Sequence, residues 1–391
     1  MNEMSEKEKL KEVASLFFKL GCLAFGGPAA HVAMMEDEVV NKRKWMDRQY
    51  FLDLMGATNL IPGPNSTEMT MHCGHERAGK LGLFVAGICF IFPAIVITGI
   101  LAWLYVTYGQ LPEVEGFVYG IKPALLAIIA GAIYKLGKKA LKSTELGIIG
   151  ALVIVACLLG AHEVIALLAA GVLGMLYFKI TNGIKSEKSD KKAFLPFFLV
   201  GNLAPAAASV SSFTIFFTFL KIGAILFGSG YVLLPYLQAE LVETGMLSLP
   251  EVMDAVAVGQ FTPGPVLSTA TFVGFQMGGF WGALAATAGM FLPSFLFVLI
   301  LNPLIPKMQK SKLLRYFLDA VNIAAVAVMV VVLVDMARLT VLDYKAGDWI
   351  FDWRGALIAI MAFGLVFGLK KSNPIWIVLG GAILGYLLLL I

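Results

Sequence analysis

Two Pro-Gly-Pro triplets, Pro62-Gly63-Pro64 and Pro263-Gly264-Pro265, each sit inside an apolar stretch, and the residues that follow them could hold an anion. A proline fixes its own φ, lacks a backbone N–H and pushes the preceding residue out of the helical region, so two prolines this close break a helix outright. After the first triplet the chain reads Asn65-Ser66-Thr67-Glu68, the opening turn of a new half-helix with Pro64 at its first position. The N–H groups of Gly63, Asn65 and Ser66, with the positive end of the helix dipole, would face the break and favour a negative guest. After the second triplet the chain reads Val266-Leu267-Ser268-Thr269, which keeps the backbone donors while its polar side chains thin out. The same serines and threonines would equally serve as helix caps.

Lys19 and Lys221 lie at equivalent places in two apolar runs. A charge within a membrane is costly and is a functional hypothesis by default. Together the two lysines would complement a doubly charged anion. Alternatively each reaches a lipid headgroup or pairs with an acid such as Asp53 or Asp254. Lys122 lies only a few residues inside its span, and snorkelling is the expectation there. Glu68, His31, His72, His75, Asp53, Asp254 and Asp319 are the candidates for carrying a coupling proton, because histidine titrates near neutrality and burial can bring a carboxyl there. His72-Cys73-Gly74-His75, with Met69 and Met71 beside it, suggests a soft metal, but its spacing is not that of a standard zinc site. No metal and no cofactor is therefore expected. The chain has no P-loop, dinucleotide-binding glycine pattern, nucleophile elbow or zincin motif, so an enzyme is not expected and energy must come from an ion gradient, the membrane potential or a partner.

The elements that must position these residues are set by composition. The chain has 391 residues, 59% of them apolar and only 14% charged, and its mean hydropathy is +0.84. That is the balance of a polytopic membrane protein. Runs long enough to cross the hydrocarbon core fall near 81–107, 117–134, 146–161, 163–179, 279–302, 316–335, 351–369 and 374–391, with 193–210 weaker because Pro196, Asn202 and Pro205 interrupt it. The mixed-sign segment 1–12 has no cleavage site after the first apolar run and is not expected to be a secretory signal. Cys22, Cys73, Cys89 and Cys157 are scattered and read as packing residues.

Lysine and arginine mark the cytoplasmic side of membrane proteins. Most of the 30 basic residues cluster at 1–12, 34–50, 72–80, 135–142, 179–192, 306–315 and 370–371. The connections around Glu113 and Glu115, around His162 and Glu163, and from Glu240 to Glu251 contain none. If every basic cluster is cytoplasmic, 13–33 and 51–71 are re-entrant hairpins bent at Gly26-Gly27-Pro28 and at Pro62-Gly63-Pro64. Hydropathy alone also permits them as full spans. The segment 193–212 must then cross, and the second half starts from the opposite face.

At a spacing of about 200 residues the halves repeat each other. Phe18-Lys19-Leu20-Gly21 answers Leu220-Lys221-Ile222-Gly223, Phe25-Gly26-Gly27 answers Phe227-Gly228-Ser229, Asp53 answers Asp254, Asn59 answers Gln260, Pro93 answers Pro293 and Lys122 answers Asn322. The expected fold is thus an all-α polytopic membrane protein of two inverted-topology repeats with broken or re-entrant helices, an architecture that places a solute near the midplane. Its parts are a cytoplasmic segment 1–12, a first repeat 13–179, a basic linker 180–192, a connecting span 193–212 and a second repeat 213–391.

Phe25-Gly26-Gly27-Pro28 with His31, followed by Asn59-Leu60-Ile61-Pro62-Gly63-Pro64, and their echoes in the second half resemble the chromate ion transporter family in its long, two-domain form. The resemblance covers about 14–390. It implies chromate efflux across the plasma membrane and chromate resistance, with proton-coupled exchange and with sulfate as a close mimic. An anion channel is the rival reading. It points to Gly26, Gly27, Pro28, His31, Asn59, Pro62, Gly63 and Pro64, with Gly228, Gln260, Pro263, Gly264 and Pro265. The second half departs from the first where Gly230 replaces Pro28, Leu233 replaces His31 and Thr269 replaces Glu68, so the first half should contribute more of the titratable chemistry. The implied partners are an oxyanion, a coupling proton and the lipid bilayer, with no nucleic acid; a homodimer is left open.

Overall fold

In hydrocarbon every backbone N–H and C=O must be satisfied within the chain, and apolar sequence of this kind resolves into helices. The computed structural model describes residues 5–24, 28–58, 60–109, 111–181, 211–227, 230–301, 311–345, 348–368 and 374–390. The first half comprises α1 (Glu6–Leu23), α2 (Pro28–Glu36) running into a π-helical turn (Asp37–Lys42), α3 (Arg48–Thr58), α4 (Asn65–Tyr108), α5 (Pro112–Ala140), α6 (Thr144–Leu158) and α7 (Glu163–Thr181). The second comprises α8 (Ser212–Ile225), α9 (Leu233–Leu237) running into a π-helical turn (Gln238–Val242), α10 (Leu249–Phe261), α11 (Thr269–Leu301), α12 (Lys312–Val341), α13 (Trp353–Gly368) and α14 (Pro374–Leu389).

Among the described residues, five helices are long and apolar enough to cross a bilayer, including Asn65–Tyr108, Val266–Ile300 and Lys312–Val341. Leu81, Ile88, Phe92 and Ile100 lie on one face of α4 and point outward, as a lipid-facing stripe should. The protein is a multi-pass helical membrane protein. Each of the eight strongest apolar runs is helical over most of its described residues, whereas 193–210 lies outside the described residues. One departure from an all-helical chain is a short antiparallel hairpin, β1 (Leu342–Lys345) with β2 (Asp348–Phe351), paired from Leu342 with Phe351 to Lys345 with Asp348. It occupies a connection where charged residues interrupt the apolar pattern.

The duplication is visible in backbone detail. α4 turns sharply at Ala78 (φ −142°, ψ 27°) and Gly79 (φ 61°, ψ −153°), and α11 turns in the same way at Gly278 (φ −149°, ψ 24°) and Gly279 (φ 58°, ψ −147°). Only glycine takes such a positive φ without strain. Each kink folds a half-helix back on the span that follows it, so that Gly74 meets the backbone of Gly82 and Gly274 that of Gly282. The half-helix 65–77 and the preceding α3, at 1.5 Å per residue, are each only about 16–20 Å long and cannot cross the hydrocarbon core alone. α1 packs on α4 with Gly21 against the Phe90 backbone, and α8 packs on α11 with Gly223 against that of Met290. A buried apolar cluster running from Met71 and Leu83 through Phe219, Leu234 and Val256 to Val328 joins the two halves.

Candidate functional site

The two Pro-Gly-Pro breaks interlock with the ends of the helices that open the opposite halves. Gly63 N–H donates to Leu226 O at 2.7 Å, and Gly264 N–H donates to Ala24 O at 2.9 Å. Ala24 caps α1 and Leu226 caps α8, so the contact is reciprocal, the signature of a local twofold relation between equivalent parts. Both glycines have positive φ, 133° at Gly63 and 84° at Gly264. The expectation that the Gly63 N–H stands open to a solute is corrected here. An unpaired buried donor is expensive, and the nearest acceptor is the carbonyl exposed by the end of the other half's first helix.

Side chains gather against this backbone knot on one side only. A methyl group on Gly63 would collide with the Glu68 carboxyl and with Ser294 Oγ, whereas Gly264 faces the Ala94 methyl and the Gly21 carbonyl. Glu68 and Ser294 are both fully buried. The two side chains converge over Gly63, but among the described residues neither completes a regular hydrogen bond. Thr67 Oγ1 and Gln260 Nε2, flanking the two breaks, are likewise buried without partners. Nearly all buried polar groups in folded proteins are satisfied, so this concentration at the breaks calls for an explanation.

His31, on α2, closes the next layer. Its Nε2 lies 3.1 Å from Ala24 O and its Nδ1 3.3 Å from Ser66 Oγ. A carbonyl can only accept, so Nε2 carries the proton in the neutral ring and the Ser66 hydroxyl donates to Nδ1. Ala24 O therefore receives both His31 and Gly264. The imidazole packs edge-on against Phe90 at 5.6 Å. In the second half Leu233 is buried at the place of His31, and Ser268 Oγ instead accepts from Thr98 Oγ1 at 3.1 Å. Asn65 and His72 are on the same half-helix as Glu68, and His72 is buried. Pro62 and Pro64 flank Gly63, Pro263 and Pro265 flank Gly264, and Pro28 opens α2. Gly26, Gly27, Asn59 and Gly228 lie outside the described residues.

The remaining charged candidates fall elsewhere. Lys19, 56% exposed, pairs with Glu38 at 3.5 Å, and Lys221 pairs with Glu240 at 2.7 Å. The partners are thus neither Asp53 nor Asp254. Glu38 and Glu240 stand at the same spacing as the lysines and in the two π-helical turns, a repeat signal that the sequence carried and that the choice of Asp53 and Asp254 passed over. Burial pushes the Glu38 carboxyl up, but a hydrogen bond from Lys42 and the charges of Lys19, Lys42 and Arg43 outweigh it and hold it below its ordinary value. Asp53 is exposed and takes a bond from Gln49 Nε2 at 3.1 Å. Asp254, its counterpart, is buried, accepts from Tyr105 OH at 2.6 Å and pairs with Lys122 at 3.4 Å. Lys122 therefore bonds across the halves where snorkelling was expected, because Asp254 offers it a buried anion. Asp319 pairs with Lys142 at 2.6 Å, away from the breaks. Ser294, which sequence reasoning missed, follows Pro293 where the first half has Ala94 after Pro93; the substitution inside a strong repeat was the available signal.

A multi-pass helical membrane protein with paired helix breaks that cradle buried polar groups is the class this fold and site define. The chain belongs to the chromate transporter family, whose model matches residues 11–175 and 213–386. It is 30% identical over 388 residues to a chromate transport protein of Cupriavidus metallidurans, covering 96% of this chain and 92% of that protein. It is 32% identical over 342 residues to a probable chromate transport protein of Synechococcus elongatus, covering 85% and 86%. An uncharacterized transporter of Bacillus subtilis is 26% identical over 188 residues, which is 94% of that protein but only 46% of this chain. No solved structure matches.

Proposed function

We propose that this protein is a secondary active transporter that exports chromate, a tetrahedral dianion, from the cytoplasm across the plasma membrane, coupled to a proton, and so confers chromate resistance. The observation that carries this reading is the knot of the two breaks, where Gly63 and Gly264 are held reciprocally and where Thr67, Glu68, Gln260 and Ser294 present buried polar atoms with no regular partner. Family membership and the names of the relatives support chromate as the first substrate. The two repeats are taken to lie in opposite orientation, as the placement of basic residues indicates.

In this reading the hydroxyls of Thr67, Ser268 and Ser294, with the side-chain amides of Asn65 and Gln260 and the backbone N–H of Ser66, donate to the oxyanion. Gly63 and Gly264 let the substrate approach the backbone, and the repeated sequence motifs add Gly26, Gly27, Asn59 and Gly228 as substrate-binding residues. Glu68 carries the coupling proton, since an enclosed carboxylate with no cation beside it costs several kcal/mol. His31 holds Ser66 and the Ala24 carbonyl in place, with His72 next to it on the half-helix. Lys19 and Lys221 meet the dianion on the two approaches by exchanging Glu38 or Glu240 for it. Asp254, with Lys122 and Tyr105, closes one approach, and its counterpart Asp53 lies at the exposed helix of the first half.

Uptake of radiolabelled chromate into inside-out vesicles, with and without an imposed pH gradient and with sulfate as competitor, tests the proposal. Concentrative uptake that depends on the gradient is expected. Flux that only equilibrates chromate would show a channel, and no uptake under any gradient would remove the export reading. Sulfate transport is the second reading, favoured by the hydroxyl and amide donors, which recognise any tetrahedral oxyanion.

A further inference from the structure

Outside the breaks, one cluster of side chains joins the halves with a donor set that fits a metal. His162 stands in the turn between α6 and α7, Glu163 opens α7, and Glu243 follows the π-helical turn after α9. One ligand atom from each lies within 4.8 Å of the others, and His162 Nε2 is 4.0 Å from Glu243 Oε2. Both connections belong to the set that contains no lysine or arginine, and among the described residues His162 is the cationic side chain that pairs with Glu243. Glu163 is only 6% exposed, and its Oε2 has no hydrogen-bond partner. A buried carboxylate oxygen aimed at a second carboxylate is unfavourable unless something positive lies between them.

We propose that His162, Glu163 and Glu243 form a binding site for a first-row divalent metal ion, zinc being the best match, that ties the first half to the second. Imidazole nitrogen and carboxylate oxygen are both ordinary zinc ligands, and three of them leave a fourth tetrahedral position for water. Metal–ligand bonds of about 2.0–2.2 Å place tetrahedral ligand atoms about 3.4 Å apart, so the cluster needs to contract by little more than 1 Å. Glu163 is held by burial at the start of α7, while His162 and the exposed Glu243 are free to close on it. An ion here would fix the α6–α7 turn to the segment between α9 and α10, and so would restrain any movement of one half against the other.

The test is calorimetric titration of the purified, chelator-treated, tag-free full chain with zinc chloride. One saturable equivalent per chain is expected, together with a rise in thermal stability as zinc binds the folded state. His162→Ala and Glu243→Gln should each weaken binding about tenfold or more, whereas His75→Ala should leave it unchanged. Glu243 is exposed, so Glu243→Gln keeps the test valid even if a change at His162 disturbs folding; monodisperse elution in detergent checks this. Absence of stoichiometric binding, or binding that survives in both His162→Ala and Glu243→Gln, would overturn the proposal. Neither result depends on chromate transport.

Discussion

In the proposed transport cycle, the chemistry of the breaks rests on Glu68 and Ser294, which meet over Gly63. Glu68→Gln keeps the shape and removes the titratable group, so chromate uptake should lose its dependence on the pH gradient while the protein still elutes as a folded species; an unchanged pH profile would move the coupling elsewhere. Ser294→Ala removes one hydroxyl from the site and should weaken apparent chromate affinity about tenfold or more, the usual cost of one hydrogen bond to a charged group. Two glycines give a matched control for backbone strain. Gly63→Ala meets both a positive φ and the Glu68 and Ser294 side chains, whereas Gly79→Ala meets a positive φ in open space. The first should abolish transport and lower stability by several kcal/mol, the second should cost about 1–2 kcal/mol, and thermal unfolding in detergent would separate them. At Glu38 the depressed carboxyl sets a sign: its ion pairs stabilise the protein above the ordinary carboxylate range and are lost as pH falls through the lowered value. Glu38→Gln should flatten that acid limb of a stability profile.

At the scale of elements, the equivalent helices α3 and α10 behave differently. α10 is buried along Val252, Met253, Ala255 and Ala257, whereas Arg48, Gln49, Tyr50, Leu52 and Asp53 of α3 are exposed. Asp254 is held against the other half by Tyr105 and Lys122, while Asp53 accepts from Gln49 on its own exposed helix. A cysteine at position 53 should therefore react with a polar thiol reagent and one at 254 should not; equal reactivity would contradict the asymmetry. Lys122→Ala leaves Asp254 buried without its cation and should cost about 3 kcal/mol, the low end for breaking a buried pair because Lys122 keeps some exposure. The double change Asp254→Asn with Lys122→Met should recover much of that loss in a thermal unfolding series.

At the scale of the molecule, neither half supplies a complete site. Gly63 needs Leu226, Gly264 needs Ala24, and Glu68 faces Ser294. Halves expressed as separate chains, divided between Thr181 and Ser211, should transport chromate only when produced together. Uptake by either half alone would contradict the shared site, although self-pairing of a half remains a distinct outcome that cross-linking would reveal. The half-length Bacillus subtilis relative shows that a unit of this size exists as a protein in its own right.

Much of this was legible in the residues themselves. Apolar run length made the helices, because hydrocarbon leaves backbone groups no other partner, and paired prolines located the breaks, because two missing donors cannot be absorbed by a continuous helix. The repeat named Gly63 and Gly264 together, and Glu68 stood out as an acid directly after a break. The tertiary structure alone decided where the glycine N–H groups go, that Ser294 from the other half stands over Gly63, and that Lys19 and Lys221 face Glu38 and Glu240. Those outcomes depend on which atoms meet across the halves at distances of about 3 Å. Periodicity along the chain records which face of a helix is apolar, but it does not record which residue of the partner half that face will touch.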